Sequence, residues 1–232
     1  MSSAQSSFKN SQAILFVMND IASNVEDEFN TWYETQHVPE RMAIDGFLSA
    51  SRWRHMAGHS QAYMATYHCH GTDTLTQAAY LERLENPTEW TRRIMPQFSN
   101  VVRSVCHETW AEGADRGTHA TVIRCAAHID TEKQARQYLI SAMTARIRTY
   151  ASITRIALWE AAEGPVSQAS PEETLRGTSD QRVNWIIFIQ TAGLTTPRTE
   201  LNLSAWFDAV DFKSCLRLES YADYQRLSQY PA

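Results

Sequence analysis

The chain has 232 residues, a formal net charge of −5, 43% hydrophobic, 10% aromatic and 20% charged residues. That balance supports a packed core rather than disorder, and without a basic stripe it excludes nucleic acid and disfavours membrane surfaces as partners. Cys69, Cys106, Cys125 and Cys215 are spaced too widely for a zinc ribbon or a disulfide framework, and read as small buried hydrophobes of a reducing cytoplasm.

Residues 1–12 are Ser-rich and polar, which predicts a disordered terminus without an export signal, and no apolar run reaches the roughly 20 residues that span a bilayer. Ala13 to Met18 is a short branched and aromatic run closed by Asn19-Asp20, as expected of a buried strand. Ser23, Asn24 and Glu26 supply a helix start. Phe29, Tyr33 and His37 then recur at four-residue spacing on one face, and the helix is expected to end near Pro39. Gly46 to Met56 and Gln61 to Cys69 are strand-like, joined through Gly58 as a hairpin. Thr72 to Leu84 and Thr88 to Met95 are helical around the Asn86-Pro87 break, and Arg103 to Trp110 closes a β-α-β-β-α-β order.

Beyond a linker from Gly113 to Gly117 the order repeats: strand Ala120 to His128, helix Thr131 to Tyr150, strands Ile153 to Trp159 and Val183 to Thr191, a short helix Leu203 to Ala209, and strand Lys213 to Ser220. Residues 163–182 form a Pro/Ser/Gly-containing insertion in the second copy. So long a loop is either a disordered connection or a functional lid. The expected fold is α+β: tandem ferredoxin-like βαββαβ repeats, 13–113 bearing the site and 118–232 following, whose open sheet faces bury each other in an α/β barrel enclosing a ligand cavity.

The strings Glu28-Phe29-Asn30-Thr31-Trp32-Tyr33, His37-Val38-Pro39-Glu40-Arg41 and Gly46-Phe47-Leu48-Ser49-Ala50-Ser51-Arg52 carry a resemblance. Over roughly Ala13 to Glu112 the chain resembles the dimeric α/β-barrel superfamily, in particular its EthD-like group. The resemblance implies a small-molecule pocket in the first copy; the second copy lacks a W-Y-x-x-x-H-x-P string. The superfamily includes cyclases, lactone isomerases, cofactor-independent monooxygenases, haem-handling enzymes and dehydratases, so fold alone leaves the chemistry open.

His37 is the leading acid/base candidate, on the face of Phe29 and Tyr33 and near a helix end whose dipole favours the imidazolium; as a plain residue it would cap terminal carbonyls. Tyr33 and His107 are candidates to stabilise a developing enolate, and Glu34 or Glu40 to orient the histidine. Trp32, Arg41, Trp53, His55, Tyr63, Tyr67 and His68 are candidate pocket walls, although aromatic stripes at strand spacing are more often core. His68 and His70, taken as sharing one face of a strand, could join His107 as three metal ligands. No Gly-rich phosphate loop or nucleophile elbow occurs, which disfavours nucleotide cofactors and serine-hydrolase chemistry.

The expectation is a cofactor-independent isomerase, cyclase or lyase moving a proton on a small, apolar, oxygenated substrate of aromatic, lactone or polyketide type. The rivals are a monooxygenase or a metal- or haem-dependent enzyme using His68, His70 and His107, and a non-enzymatic ligand-binding accessory protein. A homodimer is expected, because single-copy relatives in the resembled superfamily are dimers and edge strands remain available, the alternative being a pseudo-dimer within one chain.

Overall fold

The computed structural model describes residues 12–57, 60–193 and 197–231. The expectations of a disordered stretch at 1–12 and of a turn through Gly58 fall outside those residues, save for Gln12.

The strand β1 (Ala13–Ile21) leads into the helix α1 (Glu26–Trp32), whose first turn carries Glu26, Asp27 and Glu28, acids suited to the positive end of the helix dipole. One wide turn, Tyr33–His37, joins it to α2 (Val38–Met42), so the helix runs through Pro39 instead of ending there. In the wide turn the Val38 N–H donates to the Tyr33 carbonyl five residues back. In that register the Glu34 carbonyl faces Pro39, which has no N–H to donate, and it accepts instead from the Tyr230 hydroxyl at 3.4 Å. A missing donor therefore leaves no orphaned acceptor, and the helix survives its proline.

Next come β2 (Phe47–His55) and β3 (Tyr63–Cys69), α3 (Ala78–Glu85), α4 (Glu89–Ile94) and the long β4 (Phe98–Gly113). The second half supplies β5 (His119–Ala127), α5 (Glu132–Thr149), β6 (Ile153–Ala161), α6 (Pro171–Arg176) within the insertion, β7 (Trp185–Thr191), α7 (Pro197–Glu200), α8 (Leu203–Asp208), α9 (Val210–Cys215) and β8 (Leu216–Pro231). The last strand starts at Leu216, since residues 210–215 form α9, which buries Phe212 and Cys215.

The eight strands close a barrel in the order β1-β3-β2-β8-β5-β7-β6-β4, every neighbouring pair antiparallel. Each half has the same internal order, β4-β1-β3-β2 in the first and β8-β5-β7-β6 in the second, which is the ferredoxin-like arrangement used twice. The halves join edge to edge, β2 on β8 and β4 on β6, so both edges of both sheets are paired within one chain. The expectation that edge strands stay open for a second copy is thereby corrected.

Each sheet has two buried faces. Inside the barrel, Phe16, Trp53, Trp159, Phe188 and Tyr224 pack with Met18, Met64 and smaller residues, Trp159 stacking on Phe188 at 4.4 Å. The interior is thus filled by side chains, where a ligand cavity was expected. Outside, α1 to α4 cover the first sheet over Leu15, Tyr63, Tyr67 and Val105, and α5, α8 and α9 cover the second over Ile156, Leu158 and Ile187. The insertion is ordered over the described residues. Arg182 bonds Glu173 and the Arg103 carbonyl, and Gln181 bridges Val102, which binds the segment to β4.

Among the described residues no helix is long and apolar enough to cross a membrane.

Candidate functional site

The polar groups that carry chemistry gather outside the barrel, in the layer between the first sheet and its helices. The wide turn aims Tyr33 and His37 inward together, their rings 5.0 Å apart, with Trp32 at 4.4 Å from the His37 ring. All three are buried, as is Arg41 one turn on. Helical spacing puts Tyr33, His37 and Arg41 on one face at four-residue steps, and the extra residue of the wide turn brings Trp32, five positions before His37, against the same ring.

From the sheet, Leu15, Tyr67 and Arg103 face the same space, and Tyr80 comes from α3. The space is roofed by Glu172 and Arg176 of α6. Between them lies an enclosed cavity of ≈ 20 Å³, room for about one water molecule. A smaller crevice of ≈ 10 Å³ reaches His37, Arg41 and Glu172 from the side of Arg83 and Thr88.

The arginines set the electrostatics. Arg41 pairs with Glu172 at 3.0 Å, both nearly buried, and its guanidinium lies 5.5 Å from the Tyr80 ring. Arg103 donates to the Tyr80 hydroxyl at 3.1 Å, and Arg176 pairs with Asp180 at 2.5 Å. Burial alone would raise the Glu172 carboxyl, but Arg41, aided by Arg103 and Arg176, holds it below the usual carboxylate range, so Glu172 is an anion.

Burial, reinforced by Arg41 and only partly opposed by the Glu172 carboxylate, lowers His37 to about 3. The sequence-level expectation of an imidazolium is corrected. The helix continues past His37, so its negative end is elsewhere, and a guanidinium sits beside the ring. Neither ring nitrogen has a hydrogen-bond partner among the described residues. Burial raises Tyr33, opposed by Arg52, whose guanidinium lies 4.3 Å from the Tyr33 ring; burial raises Tyr67 further, so both hydroxyls are neutral donors. The two hydroxyls influence each other, yet the buried Tyr67 hydroxyl makes no hydrogen bond of good geometry.

Of the residues singled out by sequence, Trp32, Tyr33, His37, Arg41 and Tyr67 come together here. Tyr63 lies on the same side of the sheet, but its hydroxyl is engaged with Glu26 and Asn30. Trp53, His55 and His68 belong to the opposite face: Trp53 is in the barrel core, His55 meets Tyr224 at 5.1 Å and His68 meets Trp159 at 6.2 Å. His107 is half-buried, opposite Ala13 in register on the helix side and beside Glu160, away from the cavity walls. Glu34 turns from His37 toward Arg52, Ser228 and Tyr230.

The triple-histidine metal set does not form. His68 pairs with Ile14, whose side chain enters the barrel, whereas His107 pairs with Ala13, which faces the helices, and His70 lies past the end of β3 and is exposed. No cluster of three His, Cys, Asp or Glu fit for a metal occurs among the described residues. A haem finds no room as the site stands: with α6 in place the cavity beside His37 is ≈ 20 Å³, so it, like any ligand larger than a water, needs the roof displaced, and the matching layer of the second half is packed with apolar side chains.

Glu172, Arg103, Arg176 and Tyr80 were missed at the sequence level. The Ser170-Pro171-Glu172-Glu173 start of α6 was the available signal, since Ser followed by Pro and acids opens helices.

No family model matches the sequence, and no curated protein matches it. Solved structures do match in shape. An anthrone oxidase-like protein superposes with a TM-score of 0.65 at 8% identity, covering 97% of this chain and 95% of its own. A putative monooxygenase from Lactobacillus acidophilus gives 0.59 at 9% identity, covering 95% and 96%. A mutant chlorite dismutase from Candidatus Nitrospira defluvii gives 0.59 at 12% identity, covering 95% and 93%. Likeness over nearly the full length of each chain, with the strand order described above, establishes the fold: this chain is a closed α/β barrel of two ferredoxin-like halves fused in one polypeptide.

Proposed function

We propose that this chain is a cofactor-independent, EthD-like enzyme that moves a proton on a small oxygenated substrate of aromatic, lactone or polyketide type, in the pocket beneath α6. The observation that carries the reading is His37: a buried, neutral imidazole, unbonded at both nitrogens among the described residues, in a wall shared with the Tyr33 and Tyr67 hydroxyls and Arg41.

His37 removes a proton beside the substrate carbonyl. The negative charge that grows on the carbonyl oxygen is met by a tyrosine hydroxyl and by Arg41, in a water-poor layer where such contacts are strong. The same growing charge raises the proton affinity of His37, offsetting the burial and the guanidinium that keep it neutral beforehand. Isomerisation, cyclisation and elimination all follow from that enolate. His107, remote from the cavity, has no part in the step.

The test compares a cell extract incubated with the wild type and with His37→Gln. A metabolite transformed by the wild type and about 10²-fold or more slowly by the variant supports the reading. Equal transformation by both refutes it.

The likeness to structures described as monooxygenase and anthrone oxidase-like favours a second reading, in which the deprotonated substrate passes to dioxygen. Oxygen consumption matched to turnover would select it. The four buried free thiols fit a reducing cytoplasm as the place of action.

A further inference from the structure

We infer that the substrate of this pocket carries a carboxylate, and that Glu172 occupies the place of that carboxylate on Arg41 while the pocket is empty. This rests on the pocket assignment of the preceding subsection and adds the charge of its ligand.

The first argument is charge. Three guanidiniums, Arg41, Arg103 and Arg176, border the cavity, and Glu172 is the one carboxylate in its wall among the described residues. Arg176 is answered by Asp180, and Arg103 donates to the Tyr80 hydroxyl. Were Glu172 withdrawn, Arg41 would be left as a buried cation facing the cavity, and such a charge must find a counter-ion. What it holds now is an ionised carboxylate. A ligand carboxylate offers the same two oxygens to the same guanidinium.

The second is an unused donor. Tyr67 is 1% exposed and lines the same cavity, and its hydroxyl has only a loose contact with the Tyr33 hydroxyl in place of a hydrogen bond of good geometry. A buried polar group left unsatisfied costs free energy, and a ligand oxygen entering beside Arg41 would satisfy it. The aromatic rings of Tyr33, Tyr80 and Phe98 in the same wall suit an aromatic or unsaturated body behind the carboxylate.

The third is the carrier of Glu172. Its segment is bracketed by Gly164 (φ +90°) and Gly177 (φ +71°), with nothing within 4 Å of where a Cβ would stand at either. Gly177 is left-handed as the C-cap of α6, its N–H on the Glu173 carbonyl, and neither glycine is packed against a group that would oppose rotation at the two ends of the segment. On its outer side α6 borders an open groove of ≈ 560 Å³, across from Leu84, Pro87 and Arg92. The segment has space to move into.

The experiment is a titration with benzoate and its neutral counterpart benzamide, followed by ligand-observed NMR. Glu172→Gln is expected to bind benzoate at least tenfold more tightly than the wild type, with benzamide unchanged. Glu173→Ala changes no residue of the cavity wall but removes the carboxylate that caps α6 at the Ser170 N–H and holds Arg182 and the Asp180 N–H, so it loosens the carrier of Glu172 and is also expected to strengthen benzoate binding. Arg41→Gln added to Glu172→Gln is expected to abolish the gain. Benzoate affinity unchanged or weaker in Glu173→Ala, or a gain in Glu172→Gln shared equally by benzamide, overturns the inference. If Glu172→Gln does not fold, Glu173→Ala decides alone. Binding is read without turnover, so its failure leaves acid/base chemistry on an uncharged substrate standing, whereas unchanged turnover in His37→Gln removes that chemistry and leaves the carboxylate site.

Discussion

Lowering the pH from 7 to 5 should destabilise this protein chiefly through His37. The unfolded chain binds a proton there near the ordinary value of 6.5, whereas burial and Arg41 lower the folded value to about 3. Because the folded value lies below the unfolded one, protons favour the unfolded chain, and stability falls as pH drops through 6.5 and keeps falling toward 3. At pH 5 the unfolded histidine is almost fully protonated and the folded one is not, a loss of about 2 kcal/mol relative to neutral pH. His37→Gln keeps a polar side chain of similar reach and removes the titration. Urea unfolding of both proteins at pH 7 and pH 5 isolates the effect, since His68 and His107, also lowered by burial, titrate in both. Glu172 and Glu173, held below the ordinary carboxylate value of 4.5, contribute in the same direction only at lower pH. The wild type should lose about 2 kcal/mol more than the variant. Equal losses would show that the His37 ring charges freely in the folded protein, and the neutral-base reading would fall with it.

Arg41→Met should cost about 3–5 kcal/mol in urea unfolding, because it strands the buried Glu172 carboxylate, and adding Glu172→Met should restore most of that; additive losses would show that the pair is not coupled. Phe188→Ala removes the ring stacked on Trp159 and packed edge-on against Trp53, and should cost about 3–5 kcal/mol while leaving benzoate binding unchanged, since the barrel core and the pocket lie on opposite faces of the sheet. Burial raises the Cys69, Cys106 and Cys125 thiols to about 12, so alkylation by iodoacetamide at pH 8 should be negligible in the folded protein and rapid in urea; rapid labelling without denaturant would contradict their placement.

The order of elements was legible in the chain because strands such as Ala13–Ile21 and helices such as Glu132–Thr149 carry their period locally. The pairing of Tyr33 with His37 was legible for the same reason, as positions of one helix face with Phe29, whereas Trp32, expected on a different face, was brought to them by the wide turn. Which side of the sheet a residue occupies was not. On β3 Tyr63 and Tyr67 alternate with Met64 and His68, but both faces of that strand are buried, so no polar face marks the outside. Hence Trp53, His55 and His68 read as neighbours of Tyr67 although the sheet separates them.

Pro39 read as a stop because the hydroxyl that satisfies the freed Glu34 carbonyl belongs to Tyr230, at the far end of the chain. Glu172 reaches Arg41 across 131 residues. By itself the sequence determined the elements, their twofold repetition and one candidate helix face, all properties of short-range periodicity. Tertiary structure alone decided that the barrel interior is full, that the polar cavity lies beneath the helices, that burial and Arg41 lower His37 and that the Glu172 carboxylate covers Arg41, because burial and charge pairing are set by which distant segments the closed sheet brings together.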